Sequence, residues 1–264
     1  MPTSERKRRQ IEQREELILD VARKMLVEAG YRGLNMDRIA ESVEYSKGTI
    51  YQHFTCKEDL VIALSIQTMA KREEFFRRAA QFQGRSRERI VAIGVAEDLF
   101  VRIYPYHFRS EQIVRMTSLR EKTTASRNDA LDACESRCLA IVVDIVREAI
   151  EVGDLTLPDG VAPEDVCFGL WCMTTGAHTF MASEIPLGKR GVRDASKSLR
   201  FSTQFLLDGL GWKPLTRQFD VGATVARIRE EVFAEESARA FATRVADRPA
   251  AVQTNGRGPA PQGS

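Results

Sequence analysis

Between Ser46 and Lys57 the chain carries two lysines, no acid, and Thr49, Tyr51, Gln52 and His53 as hydrogen-bonding groups. A surface helix in a sequence with 37 acidic residues would usually hold one of them. An acid-free run of polar and aromatic side chains suits a surface that faces phosphate, where cations replace condensed counterions. A second set of reactive types is more scattered. Cys134 and Cys138 are four apart, and Cys167, Cys172 and His178 follow on a later segment. A soft-metal or thiol site would need several of these to converge, and the spacing is no recognised zinc pattern. Cys56, beside Lys57, is a candidate redox-responsive thiol.

Around these residues the chain is ordinary. It has 264 residues, 43% of them hydrophobic and 29% charged. Lys plus Arg number 39 against 37 Asp plus Glu, a net charge of +2, so any nucleic-acid contact must come from a local patch. The apolar stretches are broken by charge well before the roughly 18 residues a membrane helix needs. The first ten residues have no apolar core or small-residue cleavage site, and the five cysteines are odd in number. A cytoplasmic protein with free thiols is expected. There is no Gly-rich phosphate loop, nucleophile elbow or metal-hydrolase His-Glu pattern, which argues against an enzyme.

The periodicity is helical nearly throughout, so an all-α fold is expected. From Ile11 to Ala29 the residues Leu17, Ile18, Val21, Ala22, Met25, Leu26 and Ala29 share one face, and Gly30 is placed to end that helix. Asn35 can cap a short helix that buries Met36, Ile39, Ala40 and Val43, and Ser46 can cap a second running to about Phe54. A fourth helix opens near Cys56 and Lys57. Two short helices joined by a tight turn and propped by a longer one form the helix-turn-helix pattern, whose second helix enters the DNA major groove.

The run Ser46-Lys47-Gly48-Thr49-Ile50-Tyr51-Gln52-His53-Phe54, followed by Lys57-Glu58-Asp59-Leu60, resembles the TetR/AcrR transcriptional regulators. Met36-Asp37-Arg38-Ile39-Ala40 fits the same signature in register, and the resemblance covers residues 14–62. It implies an N-terminal three-helix DNA-binding domain plus a larger helical ligand-binding and dimerisation domain. It also implies a homodimer, most simply a repressor released from a palindromic operator by a small molecule. Carried over by position, Lys47, Gly48 and Thr49 open the recognition helix, with Gly48 allowing close backbone approach. Tyr51, His53 and Lys57 match phosphate-holding positions, and Gln52 reaches a base edge, with adenine its best bidentate partner. Ile39, Ala40, Ile50 and Phe54 are packing residues.

Two positions depart from the pattern. Glu44-Tyr45 stands where the turn usually has glycine and a small apolar residue, so Glu44 would carry the strain of a positive φ. Cys56 stands where serine commonly caps the fourth helix, and Thr55-Cys56-Lys57-Glu58 offers a capping box one residue earlier.

The expected divisions are a basic arm over 1–10, a DNA-binding domain over 11–57, an effector and dimerisation domain over 58–247, and a disordered tail over 248–264. Helices are expected near 86–103, 107–120, 124–152, 163–182 and 194–210, with one more amphipathic helix within 217–246. The pairs near 163–182 and 194–210 carry Phe168, Leu170, Trp171, Phe201, Phe205 and Leu206, a dimer face by resemblance. Effector-binding candidates are Phe100, Tyr104, His107, Trp171 and His178, drawn from a set that also holds Tyr106, Phe108, Met116, Met173 and Phe180. The basic cluster Arg6-Lys7-Arg8-Arg9 is placed to lie along phosphates or enter a minor groove. Three alternatives stand beside the repressor: an effector-independent DNA-binding regulator, an activator, and a thiol- or metal-responsive regulator using Cys56 or the Cys134, Cys138, Cys167 and Cys172 set.

Overall fold

A computed structural model describes residues 2–115, 119–183 and 185–246. Among these residues there is no strand, and helices account for nearly all of the ordered backbone. Helix α1 (Pro2–Gly33) buries Ile18, Ala22, Met25 and Leu26 of the stripe expected from spacing, together with Leu19, which lay off it, while Leu17 and Ala29 are exposed. Gly30, at φ 66°, bends its last turn. The helix begins at Pro2 rather than near residue 11, so Arg6 to Arg9 ride on a helical extension of α1 instead of forming a separate arm. Arg8 and Glu12, one turn apart at 3.5 Å, support that extension.

Asn35 caps α2 (Met36–Ser42) by accepting from the N–H groups of Asp37 and Arg38. Ser46 caps α3 (Lys47–His53) through the N–H of Thr49. Between them Glu44 does adopt a left-handed backbone, φ 58°. Helix α4 (Lys57–Ala80) starts from Cys56, whose Sγ accepts the Asp59 N–H at 3.4 Å. The capping box foreseen at Thr55 does not form. Glu58 accepts from the Tyr31 hydroxyl, and Asp59 accepts the Thr55 N–H at 3.1 Å instead.

The remaining helices are α5 (Ser86–Ile103), α6 (Pro105–Arg115), α7 (Ala125–Glu151), α8 (Pro163–Ala182), α9 (Ala195–Gly209), α10 (Val221–Glu231) and α11 (Ala234–Ala246). Helix α6 begins two residues earlier than its spacing suggested, because Pro105 is a favoured first helical residue. The single helix expected within 217–246 is two. Phe233 at the break is wholly buried and stacks on Phe75 at 5.6 Å, while Arg78 binds the freed Val232 carbonyl and the Glu236 carboxylate. Met116 and the tail over 248–264 lie outside the described residues.

Two cores result. One gathers α1, α2, α3, the first turns of α4, and Leu131, Cys134 and Cys138 of α7. The other gathers the end of α4 with α5, α7, Leu207, Trp212 and the two C-terminal helices. Helix α4 contributes to both, so the division expected at residue 57 falls at the start of a shared element.

Candidate nucleic-acid interface and ligand cavity

Ile50 and Phe54, both wholly buried, fix α3 against α1 and α4 and thereby decide which of its side chains face outward. Lys47, Gly48, Tyr51 and Gln52 are exposed and Thr49 is half-buried. The Lys47 Nζ lies 2.6 Å from Asp37 Oδ2, and this contact raises the lysine's pKa above its ordinary value. The hydroxyls of Thr49 and Ser46 are 2.8 Å apart. A Cβ added at Gly48 would meet only the Ser46 Oγ, at 3.7 Å. No packing in this chain requires a glycine there.

The other two sequence candidates sit at the margin of that face. The His53 side chain is only 9% exposed, with Nδ1 3.3 Å from Glu15 Oε1 of α1, so it is turned toward α1 rather than standing out beside Gln52. The Lys57 ammonium sits 4.1 Å from the centre of the Tyr31 ring, and burial there lowers its pKa. The Tyr31 hydroxyl donates to Glu58. Tyr31 and Glu15 went unnoticed in the sequence because their roles depend on how the end of α1 meets α3 and α4.

The larger domain encloses a cavity of about 460 Å³ bounded by α4 through α10. Met69, Phe76, Ile93, Leu139, Val142 and Leu170 give it apolar walls. Of the five effector candidates only Trp171 lines it, joined by Phe108 from the wider set. Phe100 is wholly buried, edge-on to Phe75 at 5.9 Å and tilted against Tyr104 at 5.6 Å. His107 is buried beside both rings, with Nδ1 3.0 Å from the Thr68 hydroxyl. Burial, reinforced by Arg23, Lys71 and Arg72, pushes its pKa down to about 3. His178 lies behind the wall, its ring edge-on to Phe108 at 6.0 Å and its Nε2 3.9 Å from Asp98. These four are aromatic core, which helical spacing alone does not separate from pocket lining.

Sequence reasoning missed the charged lining. Arg72 is buried between Glu97, at 2.9 Å, and Glu111, at 2.7 Å. Burial alone would lower its pKa, but the two carboxylates overcome that and raise it. Burial likewise pushes the Asp98 carboxyl up, and the His178 and Arg102 side chains facing it more than reverse the effect. The available signal was a charge placed within an apolar stripe, as at Arg72 beside Met69, Phe75 and Phe76.

The cysteines play other parts. Cys138 and Cys167 belong to the cavity wall, where burial pushes both thiols up to about 12. Cys172 is exposed, and Cys134 contacts Arg137 at 3.0 Å. Among the described residues no group of three or more His, Cys, Asp or Glu is arranged to hold a metal ion, so the imagined convergence is not assembled. No described helix is long and apolar enough to cross a membrane. On the outside of α8 and α9, Phe168, Trp171, Phe201 and Phe205 form an exposed aromatic face, with Phe201 and Phe205 edge to face at 4.4 Å.

Residues 18–64 match the sequence model of the family described as bacterial regulatory proteins, tetR family. The HTH-type transcriptional repressor AcnR of Corynebacterium diphtheriae is 37% identical over 65 residues, which are 25% of this chain and 34% of that protein. The chain thus aligns with about a third of the length of this curated relative. Among solved structures, the regulator FadR from Bacillus subtilis, in complex with stearoyl-CoA, is 18% identical at a TM-score of 0.59, covering 74% of this chain and 98% of its own. AibR, in complex with isovaleryl coenzyme A and operator DNA, is 19% identical at a TM-score of 0.54, covering 75% and 98%. At such identities the likeness is one of fold.

Proposed function

This chain carries the DNA-binding domain of the tetR family of regulators, and we propose that it acts as a homodimeric repressor released from a palindromic operator by a small-molecule effector. Lys47, Gly48, Thr49, Tyr51 and Gln52 make the base and phosphate contacts, with Lys57 and His53 bordering them. The single observation that carries the reading is the reach of α4. Its first turn, from Cys56 to Asp59, holds the end of the recognition helix, and Met69, Arg72 and Phe76 farther along line the cavity. A molecule that fits the cavity better in one position of α4 therefore shifts the recognition helix, and a coupling of roughly 1–3 kcal/mol changes operator occupancy several-fold or more.

The two fold neighbours described above were solved with coenzyme A thioesters, which supports taking the cavity as the effector site. The exposed aromatics of α8 and α9 supply the dimer face, where a two-fold mate sets two recognition helices one DNA turn, or a multiple of it, apart. The test is to sequence the genomic fragments retained by the purified protein at two salt concentrations. One palindrome with a steep salt dependence is the expected result. Retention without sequence preference would leave the fold assignment standing and remove the operator-reading function.

A further inference from the structure

Two charged clusters line the cavity. In one, Arg72 is shared by Glu97 and Glu111. In the other, Asp98 is engaged by Arg102, which donates to it at 2.9 and 3.1 Å, and by the Ser196 hydroxyl at 3.1 Å. Arg200 of α9 and Arg229 of α10 also line the cavity. Arg229 comes no closer to Asp98 than 4.0 Å, and its buried Nε has no hydrogen-bond partner. Arg102 and Arg229 thus both approach Asp98, and Arg200 lies close enough to Arg229 to repel it. Burial, together with repulsion from Arg200 and Arg102, lowers the Arg229 pKa despite the attraction of Asp98.

The arrangement is held in place by the C-terminal helices. The Phe241 ring of α11 lies 4.8 Å from the Arg229 guanidinium carbon and 5.4 Å from that of Arg102. The segment beyond α9 therefore adds Val221 and Arg229 to the cavity wall.

We propose that the cavity takes an amphipathic anion, whose carboxylate or phosphate is bound by Arg200 and Arg229 and whose apolar chain runs along Met69, Ile93, Val142 and Leu170. This rests on the cavity being the effector site.

Isothermal titration with dodecanoate, dodecyl phosphate and 1-dodecanol tests it, because the three probes share a chain and differ in head group. At least one anion should bind roughly tenfold or more tightly than the alcohol, as a charge-assisted pair provides. The stronger anion identifies the head group. Arg229→Gln and Arg200→Gln should each pull that anion toward the alcohol's affinity and leave the alcohol unchanged, which a damaged fold would not do. The proposal is overturned if neither anion binds, if the alcohol binds as tightly as both, or if the variants weaken all three alike. Arginine-dependent anion binding that leaves operator affinity unchanged would support this site and remove effector release. Operator binding with no affinity for either anion would remove this site and leave the operator-reading function standing.

Discussion

Arg127 of α7 donates through Nε to Asp59 Oδ1 of α4 at 2.8 Å, across 68 residues of chain. The other carboxylate oxygen accepts the N–H of Thr55, and the same guanidinium lies 5.6 Å from the centre of the Phe54 ring, where α3 ends. Helix α7 therefore grips the joint between the recognition helix and α4, while its own Cys138, Leu139 and Val142 line the cavity. Helices α4 and α7 thus both run from the cavity to the DNA-facing domain. Arg127→Leu leaves a nearly buried carboxylate without its cation, at a cost of about 1–3 kcal/mol in urea unfolding. In a double-mutant cycle with Asp59→Asn, a coupling above roughly 0.5 kcal/mol is expected. Strictly additive losses would show that the contact carries no load between the domains.

Gly48 yields a prediction in which stability and binding move in opposite directions. A methyl group there makes only an ordinary contact with the Ser46 Oγ, at 3.7 Å, and alanine favours a helix over glycine by up to about 1 kcal/mol. Gly48→Ala should leave the melting temperature unchanged or higher. If the backbone at Gly48 approaches DNA, the same change should weaken operator binding by roughly tenfold or more, about 1.4 kcal/mol. Undiminished binding in a gel-shift titration would place the DNA backbone elsewhere.

Glu44 holds a left-handed backbone at φ 58° and brings a negative charge to the turn before α3. Glu44→Gly removes strain of roughly 1 kcal/mol, partly offset by the greater freedom of glycine in the unfolded chain. Loss of the charge next to phosphate should also tighten operator binding and steepen its salt dependence. A variant that is both less stable and weaker in binding would mean that Glu44 makes a contact its geometry does not suggest.

The legibility of the fold and of the site differed for physical reasons. Ser46, Asn35 and the stripe from Ile18 to Leu26 act locally, through caps and helical period, so the helix-turn-helix could be read directly from the sequence. The break at Phe233 could not, because it depends on Phe75 and Arg78, more than 150 residues away. The cavity was least legible. An aromatic residue at helical spacing looks the same whether it lines the cavity, as Phe76 does, or packs on another ring, as Phe100 does. The residues that give the cavity its polarity, Arg72, Glu97, Asp98 and Arg229, derive their meaning from partners on other helices.

The aromatic face of α8 and α9 gives the prediction for assembly. Phe201 and Phe205 are more than 60% exposed, although each would be worth roughly 1.5–3 kcal/mol if buried. The double variant Phe201→Ser, Phe205→Ser should sediment as a monomer where the parent sediments as a dimer, with unchanged helical content. Operator affinity should fall with it, since one head lacks its second half-site. A dimer that survives the double change would assign the interface to another surface.

His107 sets a pH dependence that can be separated from that of the carboxylates. With the Thr68 hydroxyl proton given to the Leu64 carbonyl at 2.9 Å, the Nδ1–H of the neutral imidazole donates to Thr68. The folded ring titrates near 3, and the unfolded ring near about 6.5. Below about pH 6.5 the unfolded chain takes up a proton that the folded chain refuses, so its contribution is full above that pH and is lost as pH falls toward 3. The slope is up to about 1.4 kcal/mol per pH unit, or about 2 kcal/mol between pH 6.5 and 5. Asp98, with its pKa held low, adds its own loss only below the ordinary carboxylate value of about 3.9, outside this window. Urea midpoints at pH 7.5 and 5.0 should therefore diverge for the parent and converge for His107→Asn, whose amide can still donate to Thr68. If the variant keeps the parent's slope, the proton is taken up elsewhere and the buried imidazole is not the group that destabilises the fold in mild acid.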